Sequence, residues 1–321
     1  MRAIRCAIAL TVGSLCLQQA SAQHYPNKPV RVIVPFAPGG AVDLVARMTA
    51  QRLSEVYGQT FVVDNRGGAG GTLGTDMVAK AKPDGYTLLV ASMGVAVNAV
   101  LYPKLPYDTL RDLAPITMLA EQPNIVVVHP SLPVKSVREL VALAKSRPGQ
   151  VSYASGGVGS NSHLATVLLL QAAGIDMLHV PYKGLGPAVS DLVGGQVQAM
   201  VANVSTAQPF VRAGRLRLLA VTSKKRFPLF PDTPTLAESG VNGGESTGWY
   251  AMWAPAGTPV EFLATLNRDV TRILTSAPMK EQLSTQGLEA IPTAPDVFAK
   301  ELKAEIEKWG KVVKAAGVTA Q

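Results

Sequence analysis

Two glycine-containing segments place hydrogen-bonding groups where a strand passes into a helix. The first comprises residues 35–40, with the sequence PFAPGG, and is followed by Asp43 in the first helical turn. Glycines let the backbone approach a ligand closely, and the free N–H groups at a helix start attract anions. Asp43 suits the positive end of the helix dipole and is also able to contact a polar group of a ligand. The alternative interpretation is a tight structural turn in which Asp43 only caps the helix.

The second segment comprises residues 153–163, with the sequence YASGGVGSNSH. It also joins a strand to a helix, and it offers backbone N–H groups together with the hydroxyls of Ser155, Ser160 and Ser162. In open α/β sheets, ligands lie beyond the carboxyl ends of the strands, where this loop is expected. The pattern predicts a cradle for carboxylate or phosphate, and the alternative is a loop that is merely flexible. A third glycine-rich stretch, residues 67–74, is interpreted as turn geometry that leads into a helix.

These loops do not carry the motifs of the common enzyme classes. Ser155 does not stand in a G-x-S-x-G elbow, and there is no nucleotide phosphate loop and no G-x-G-x-x-G fingerprint. The histidines lack the spacing of a metal site; they are His24, His129, His163 and His179. We predict no enzyme activity, no metal and no cofactor. A hydrolase that uses Ser160 and His163 is the weaker alternative, because no acid is assigned to orient the histidine.

The first residues have the layout of a secretory signal peptide. Arg2 and Arg5 precede an apolar run over residues 6–17, and residues 20–22 form a small-x-small cleavage pattern. The run is too short to span a bilayer, which needs about 20 residues. We predict that residues 1–22 are a signal peptide, that cleavage follows Ala22, and that the mature chain is exported to the periplasm. Both cysteines, Cys6 and Cys16, precede that site, so the mature chain is expected to have no thiol chemistry.

The composition is that of a globular protein with a mild positive charge. Hydrophobic residues make up 47 % of the 321 residues, charged residues make up 16 %, and the formal net charge is +8. The positive residues are scattered rather than gathered in a basic stripe, which argues against nucleic-acid binding. The charge suits the capture of anionic solutes, or it serves only solubility.

Strand-like and helix-like stretches alternate along most of the chain, which predicts mostly parallel sheets covered by helices. Ser136 and Glu139 match a capping box at the start of one helix. Extended, proline-marked stretches at residues 115–123 and 227–234 are candidate crossings between two lobes. Two crossings suit a clamshell, because few residues need to rotate when it closes. The predicted first lobe comprises residues 23–123 and 225–321, and the predicted second lobe comprises residues 124–224.

Many motifs, in order along the chain, resemble those of one known family. They are YPNKP (25–29), VIVPFAPGG (32–40), NRGGAGG (65–71), PDGYTLL (83–89), YD (107–108), HLA (163–165), HVPYKG (179–184) and PAGTP (255–259), with Trp309 near the end. On these motifs the sequence is identified as a member of the periplasmic solute receptors of tripartite tricarboxylate transporters, often called Bug receptors. So many ordered motifs are more specific than any single glycine loop.

The resemblance implies a two-lobed periplasmic-binding-protein fold of the Venus-flytrap type II, with a ligand held in the cleft. It implies a monomer that captures a small carboxylate, such as a dicarboxylate, a tricarboxylate or an aromatic acid, and delivers it to integral membrane transporter subunits. A solute sensor for a membrane kinase is the alternative role. Asp43 and Lys183 either touch the ligand or brace their loops. The residues expected at the ligand are Phe36, Ala37, Gly39, Gly40, Asp43, Ser92, Ser155, Gly156, Gly159, Ser160, His163, Lys183 and Asn203.

Two departures from the family pattern bear on the ligand. Where the family commonly has an acidic residue one turn after the HLA motif, this chain has Thr166, Val167 and Leu168; where it often has aspartate before Asn203, this chain has Ala202. If those acids receive a cationic ligand group, their absence disfavours an amino acid. The hypothesis is that the ligand is a plain or aromatic carboxylate.

Overall fold

The computed structural model describes residues 25–318, so the predicted signal peptide lies outside the described part of the chain. The strands are β1 (Val30–Val34), β2 (Phe61–Asn65), β3 (Thr87–Ser92), β4 (Leu113–Val128), β5 (Ser152–Ser155), β6 (Leu178–Pro181), β7 (Ala199–Asn203), β8 (Arg217–Val221), β9 (Thr247–Pro255) and β10 (Glu289–Ala290). The helices are α1 (Ala41–Tyr57), α2 (Thr72–Ala79), α3 (Gly94–Leu101), α4 (Val137–Ser146), α5 (Asn161–Ala173), α6 (Leu185–Val193), α7 (Val204–Arg212), α8 (Val260–Thr275), α9 (Ala277–Thr285) and α10 (Pro295–Ala316). Between residues 25 and 318, none of these helices is both long and apolar enough to cross a membrane.

Strand β4 is shared by two sheets. Its first part, Leu113 to Pro123, pairs with β9 in a sheet of order β2-β1-β3-β9-β4. Its last part, from Asn124 to Val128, pairs with β7 in a sheet of order β4-β7-β5-β6. Strands β10 and β8 pair with the two parts of β4. One continuous strand therefore passes from the first sheet to the second between Pro123 and Asn124.

The sheets are mixed rather than mostly parallel, which corrects one part of the sequence-based prediction. The outer pairings are parallel as predicted: β1 with β2 and β3, and β5 with β6 and β7. The inner pairings of β9 with β3 and β4, and of β4 with β7 and β8, are antiparallel. Strand β4 leaves the first sheet and β9 returns to it, so the two run in opposite directions. Both β4 and β9 are also apolar on both faces, so their sequences lack the alternation of polar and apolar residues that would indicate an antiparallel pairing.

Alternate side chains of each strand enter opposite layers of the core, as the period of a strand requires. In β1, Val32 and Val34 belong to one cluster, whereas Ile33 belongs to the cluster on the other face. The same alternation divides the second sheet, where Val126 and Ile125 lie in different clusters. Both sheets are therefore covered on both faces, and the polar loops at their strand ends are held between rigid layers.

The return from the second sheet to the first is longer than the first crossing. Leu236 and Val241 lie in a core cluster of the second sheet, and Phe227 packs against its other cluster. The contacts of residues 227–241 are thus made mainly with the middle segment, and the chain re-enters the first sheet at Thr247. The limits of the two lobes remain a prediction. These contacts favour placing the second limit near Thr247 rather than after residue 224.

Helix α4 begins with the predicted capping box. The Ser136 hydroxyl accepts a hydrogen bond from the Glu139 N–H at 3.1 Å, and the Glu139 carboxylate accepts one from the Lys135 N–H at 2.7 Å. These bonds satisfy N–H groups that have no acceptor within the helix.

Replacing Ser136 with alanine is expected to lower the free energy of unfolding by about 1 kcal/mol, because the Glu139 N–H loses its acceptor. Urea-induced unfolding followed by circular dichroism measures this. Ser146→Ala at the last residue of the same helix is the control, since its exposed hydroxyl only donates to the Leu143 carbonyl oxygen. The control is expected to change stability by less than about 0.5 kcal/mol. Equal losses in the two variants would contradict a specific role of the cap.

Candidate functional site

A small cavity of about 30 Å³ lies where the loops of the two sheets meet. Eight predicted ligand residues line it: Phe36, Ala37, Gly40, Asp43, Ser92, Gly156, Ser160 and Asn203. Five others are not among its lining residues: Gly39, Ser155, Gly159, His163 and Lys183. Six lining residues were not among those expected at the ligand: Ala41, Val42, Asn161, Ser162, Leu185 and Tyr250. The cavity therefore draws on both predicted loops and on strand β9, which the sequence pattern did not indicate.

Three helix starts contribute residues at or next to this cavity; two of them have no side-chain cap, and at the third, that of α7, the Gln122 side chain accepts the Ser205 N–H. Helices α1 and α6 begin at the glycines Gly40 and Gly184, and neither has a capping side chain. Helix α7 begins at Asn203, whose side chain makes no cap bond. The first N–H groups of such helices lack intrahelical acceptors and carry partial positive charge. Among the lining residues there is no lysine or arginine, so the free N–H groups at the starts of α1 and α6 supply partial positive charge to the described cavity.

Asp43 is held by its own loop. Its carboxylate accepts hydrogen bonds from the Gly39 N–H at 3.1 Å, from Arg47 Nε at 3.0 Å and from Asn65 Nδ2 at 3.0 Å. Burial by itself would raise the pKa of Asp43, but the hydrogen bonds from Arg47, Gly39 and Asn65 outweigh it and hold the pKa below its usual value. The Arg47 guanidinium also balances the charge. Asp43 therefore shapes the first loop without presenting an unpaired negative charge to the cavity.

The loops of the two sheets meet through their backbones. The Ala37 N–H donates to the carbonyl oxygen of Lys183 at 2.9 Å, while Lys183 itself is exposed. A methyl group added to Gly186 would overlap the carbonyl oxygen of Pro38, and one added to Gly70 would overlap that of Val158. Gly186, in α6, and Gly70, in the third glycine-rich stretch, are therefore required for the close approach of the two halves.

Behind the second loop, aromatic rings form a stack. His179 lies between Tyr153 and His163, with ring centroids 4.8 Å and 4.2 Å apart. His163 Nδ1 accepts the Gly159 N–H at 3.2 Å, and His179 Nε2 lies 2.6 Å from the Ser155 hydroxyl. Burial lowers the pKa of His163 to about 3, with a further contribution from His179, and burial lowers the pKa of His179 to about 4. Both rings are thus neutral near pH 7, and they brace the loop.

The arrangement disfavours the serine hydrolase alternative. Ser160 Oγ accepts the backbone N–H of His163 as the cap of α5, while the ring nitrogen Nδ1 of His163 faces Gly159. Residues 244–248 read GESTG and match the G-x-S-x-G pattern by letter. They lead into β9 rather than from a strand into a helix, which is the setting of a nucleophile elbow. The Ser246 hydroxyl instead accepts a hydrogen bond from Asn124 Nδ2 at 3.2 Å.

Asn124, which the sequence analysis did not single out, connects the crossing of β4 to the cavity. Its Oδ1 accepts hydrogen bonds from the Nδ2 groups of Asn161 at 3.0 Å and Asn203 at 2.8 Å, both of which line the cavity. Its Nδ2 donates to Ser246 just before β9. A buried amide at the crossing therefore orients two cavity side chains. A polar residue next to Pro123 at the head of an apolar run was the available signal.

Comparison with known proteins identifies the relatives of this chain. The family model described as the tripartite tricarboxylate transporter family receptor matches residues 45–318. Protein BugT of Bordetella pertussis is 41 % identical over 299 residues, which cover 92 % of each chain. Two similar solved structures have an acid bound. Rpa4515 of R. palustris, with adipate, is 39 % identical with a TM-score of 0.89 over 92 % of this chain and 99 % of that one. MatC of Rhodopseudomonas palustris, with bound malate, is 35 % identical with a TM-score of 0.86 over 90 % of this chain and 100 % of that one. These matches confirm the predicted family and the predicted periplasmic-binding-protein fold.

The two neutral histidines predict a stability that falls in acid. Unfolded histidine has a pKa of about 6.5, so below that pH the unfolded chain takes up protons that the folded chain resists until about pH 4 at His179 and about pH 3 at His163. Their contribution is complete above pH ~6.5 and is lost as the pH falls, by up to about 1.4 kcal/mol per pH unit for each histidine. Urea unfolding between about pH 7 and 5 measures this loss of stability. Most carboxylates titrate below that range.

The matched variant for this measurement combines His163→Asn with His179→Gln. Each amide keeps a hydrogen-bond acceptor near the position of the ring nitrogen but does not titrate. The variant is expected to show a flatter dependence of unfolding free energy on pH. A slope equal to that of the unchanged chain would rule out these histidines as its source.

Proposed function

Because this chain belongs to the tripartite tricarboxylate transporter receptor family, we propose that it captures a small carboxylate between its two sheets and delivers it to a membrane transporter. In this proposal the mature chain is a periplasmic monomer with two lobes, and it acts by binding, without chemistry on the solute. The observation that carries the proposal is the convergence of the uncapped starts of α1 and α6 on one cavity that has no lysine or arginine in its lining. Such a site suits a group that only accepts hydrogen bonds and carries negative charge.

Both polar and apolar side chains line the cavity. Ser92, Ser160 and Asn203 offer hydroxyl and amide groups, whereas Phe36, Val42 and Leu185 offer apolar surface. Hydrogen bonds to a charged group contribute about 1.5–3 kcal/mol each. The polar side chains and the helix starts would hold the carboxylate, and the apolar side chains would select the rest of the solute.

Entry to this site requires movement. A cavity of about 30 Å³ has room for only a few water molecules. An acid of the size of adipate or malate would therefore enter only when the loops of the first sheet move away from those of the second sheet. The single crossing strand at Pro123–Asn124 and the return at Thr247 are the places where the backbone would absorb such a rotation.

The surroundings support a carboxylate without an amino group. Thr166, at the position where the family commonly has an acid, uses its hydroxyl to donate to the Ser162 carbonyl oxygen at 2.7 Å. Ala202 is fully buried in the core of the second sheet. Asp43, the one acidic residue in the lining, is paired with Arg47. None of the three offers a free carboxylate to an ammonium group, whose burial without a partner is costly.

A thermal-shift panel tests the class of solute. Refolded, ligand-stripped mature protein is tested with adipate, malate, benzoate, succinate and aspartate, with adipamide and a sugar as neutral controls. At about 100 times Kd, a true ligand is expected to stabilise the fold by about 2.7 kcal/mol. We expect a response to at least one plain acid, none to adipamide, and a weaker response to aspartate than to succinate. Silence from every acid, or a response only to the sugar, would contradict capture of a carboxylate.

Gly186→Ala tests the close approach of the loops. Gly186 has an ordinary backbone conformation that alanine adopts without strain, yet the added methyl would overlap the carbonyl oxygen of Pro38. We expect adipate or malate to bind at least about tenfold more weakly by calorimetry, a loss of about 1.4 kcal/mol, with no loss of stability in the unliganded protein.

Gly194→Ala at the other end of α6 is the matched control for this variant. Its nearest neighbour is the Ser190 carbonyl oxygen at 3.4 Å, within its own helix region. It is expected to bind as the unchanged chain does. An unchanged affinity in Gly186→Ala would show that binding does not require the loops to meet.

A further inference from the structure

A glutamine and a tyrosine are buried together where β4 leaves the first sheet. Gln122 is 2 % exposed and Tyr250 is 1 % exposed. Tyr250 also lines the cavity, whereas Gln122 lies behind it, one residue before Pro123. Buried polar groups of this kind are costly unless each has a defined partner. The role inferred below for these two side chains rests on the proposed function of the cavity.

The orientation of the Gln122 amide is fixed by a backbone group. The N–H of Ser205, in the first turn of α7, lies 3.0 Å from Gln122 Oε1. A backbone N–H is only a donor, so the atom of Gln122 that faces it must be the oxygen. The Nε2 group of Gln122 then lies 2.6 Å from the Tyr250 hydroxyl oxygen. An amide N–H is also only a donor, so Tyr250 accepts this hydrogen bond.

The direction of the Tyr250 hydroxyl hydrogen follows from that bond. A phenol oxygen that accepts from Gln122 cannot direct its own hydrogen toward Gln122, so the hydrogen is available on another side. Burial raises the pKa of Tyr250, so the hydroxyl keeps its proton near pH 7. The cavity beside Tyr250 is where an acceptor for that hydrogen would lie.

We propose that Tyr250 donates a hydrogen bond to the carboxylate of the bound solute and that Gln122 is the positioning residue that fixes Tyr250 as a donor. The pair adds a neutral donor from β9 to those at the helix starts. It favours a group that accepts hydrogen bonds and disfavours one that only donates, such as an ammonium group, because the buried hydroxyl would then lack an acceptor.

The same bonds join the two sheets. Gln122 accepts from Ser205, which follows β7 of the second sheet, and donates to Tyr250, which belongs to β9 of the first. Only an arrangement that keeps Ser205 beside Gln122 holds the amide in this orientation. Separation of the two would free the amide to rotate, and Tyr250 would lose its fixed role as a donor. The donor is therefore complete only when the sheets are arranged as they are here.

The test is a double-mutant cycle on binding of adipate, malate and benzoate, measured by calorimetry. Tyr250→Phe removes the donor and is expected to weaken binding about 10- to 100-fold, the effect of one hydrogen bond to a charged group. Gln122→Met removes the orienting amide and is expected to weaken binding by a smaller factor. When Tyr250→Phe is already present, Gln122→Met is expected to cause no further loss, since a positioning residue acts only through the group it positions.

Two further variants distinguish an effect on binding from an effect on folding. Gln122→Glu still satisfies the Ser205 N–H but draws the Tyr250 hydrogen toward the new carboxylate, and it is expected to bind more weakly than the unchanged chain. Ser205→Ala leaves the backbone N–H in place and removes a hydroxyl that has no hydrogen-bond partner, so it is expected to bind normally. Thermal melts of the unliganded variants show which of them fold.

The outcomes separate this inference from the proposed function. If the unchanged chain binds none of the acids of the thermal-shift panel, the proposed function fails and this inference fails with it. If the unchanged chain binds and Tyr250→Phe binds equally well, only the donor role is overturned. If the losses from Gln122→Met and Tyr250→Phe are additive, Tyr250 remains a contact, but Gln122 does not act through it.

Discussion

The first N–H groups of a helix have no acceptor within that helix, and here two helices, α1 and α6, leave them uncapped next to one small cavity. A serine or aspartate cap would satisfy these groups permanently and would compete with any solute. Glycine at the starts of α1 and α6 avoids that competition and lets the loops lie close together. At α7 the side chain of Asn203 is turned toward Asn124 instead. The uncapped starts thus lie where a bound anion would offset the cost of their unsatisfied N–H groups.

The position of these helix starts depends on the strand that passes through both sheets. Because β4 contributes to two sheets, the polar residues at its crossing contact both halves of the molecule. Asn124 binds Asn161 and Asn203 on one side and Ser246 on the other. Gln122 similarly lies between Ser205 and Tyr250. The geometry of the cavity and the angle between the sheets are therefore set by the same few hydrogen bonds.

Local signals in the sequence were sufficient for the loops and most helices. The glycine turns before α1 and α5 and the capping box of α4 depend on neighbouring residues, and the structure places them as expected. Features that depend on distant pairing were not predictable in this way. Asn124 and Ser246 are 122 residues apart, and no local pattern links them. His163 was expected at the ligand from the resemblance, but its packing against His179 directs its ring nitrogen to Gly159.

The contact between the two halves at the cavity is made by uncharged backbone: Ala37 with Lys183, Pro38 with Gly186, and Gly70 with Val158. Dissolved salt screens interactions between exposed charges but has little effect on contacts between neutral peptide groups. The closing of the loops should therefore depend little on ionic strength. Salt would instead act on the earlier approach of an anion to a chain whose net charge is positive. In the proposed function, the encounter with the solute would respond to salt, whereas the step that retains the solute would not.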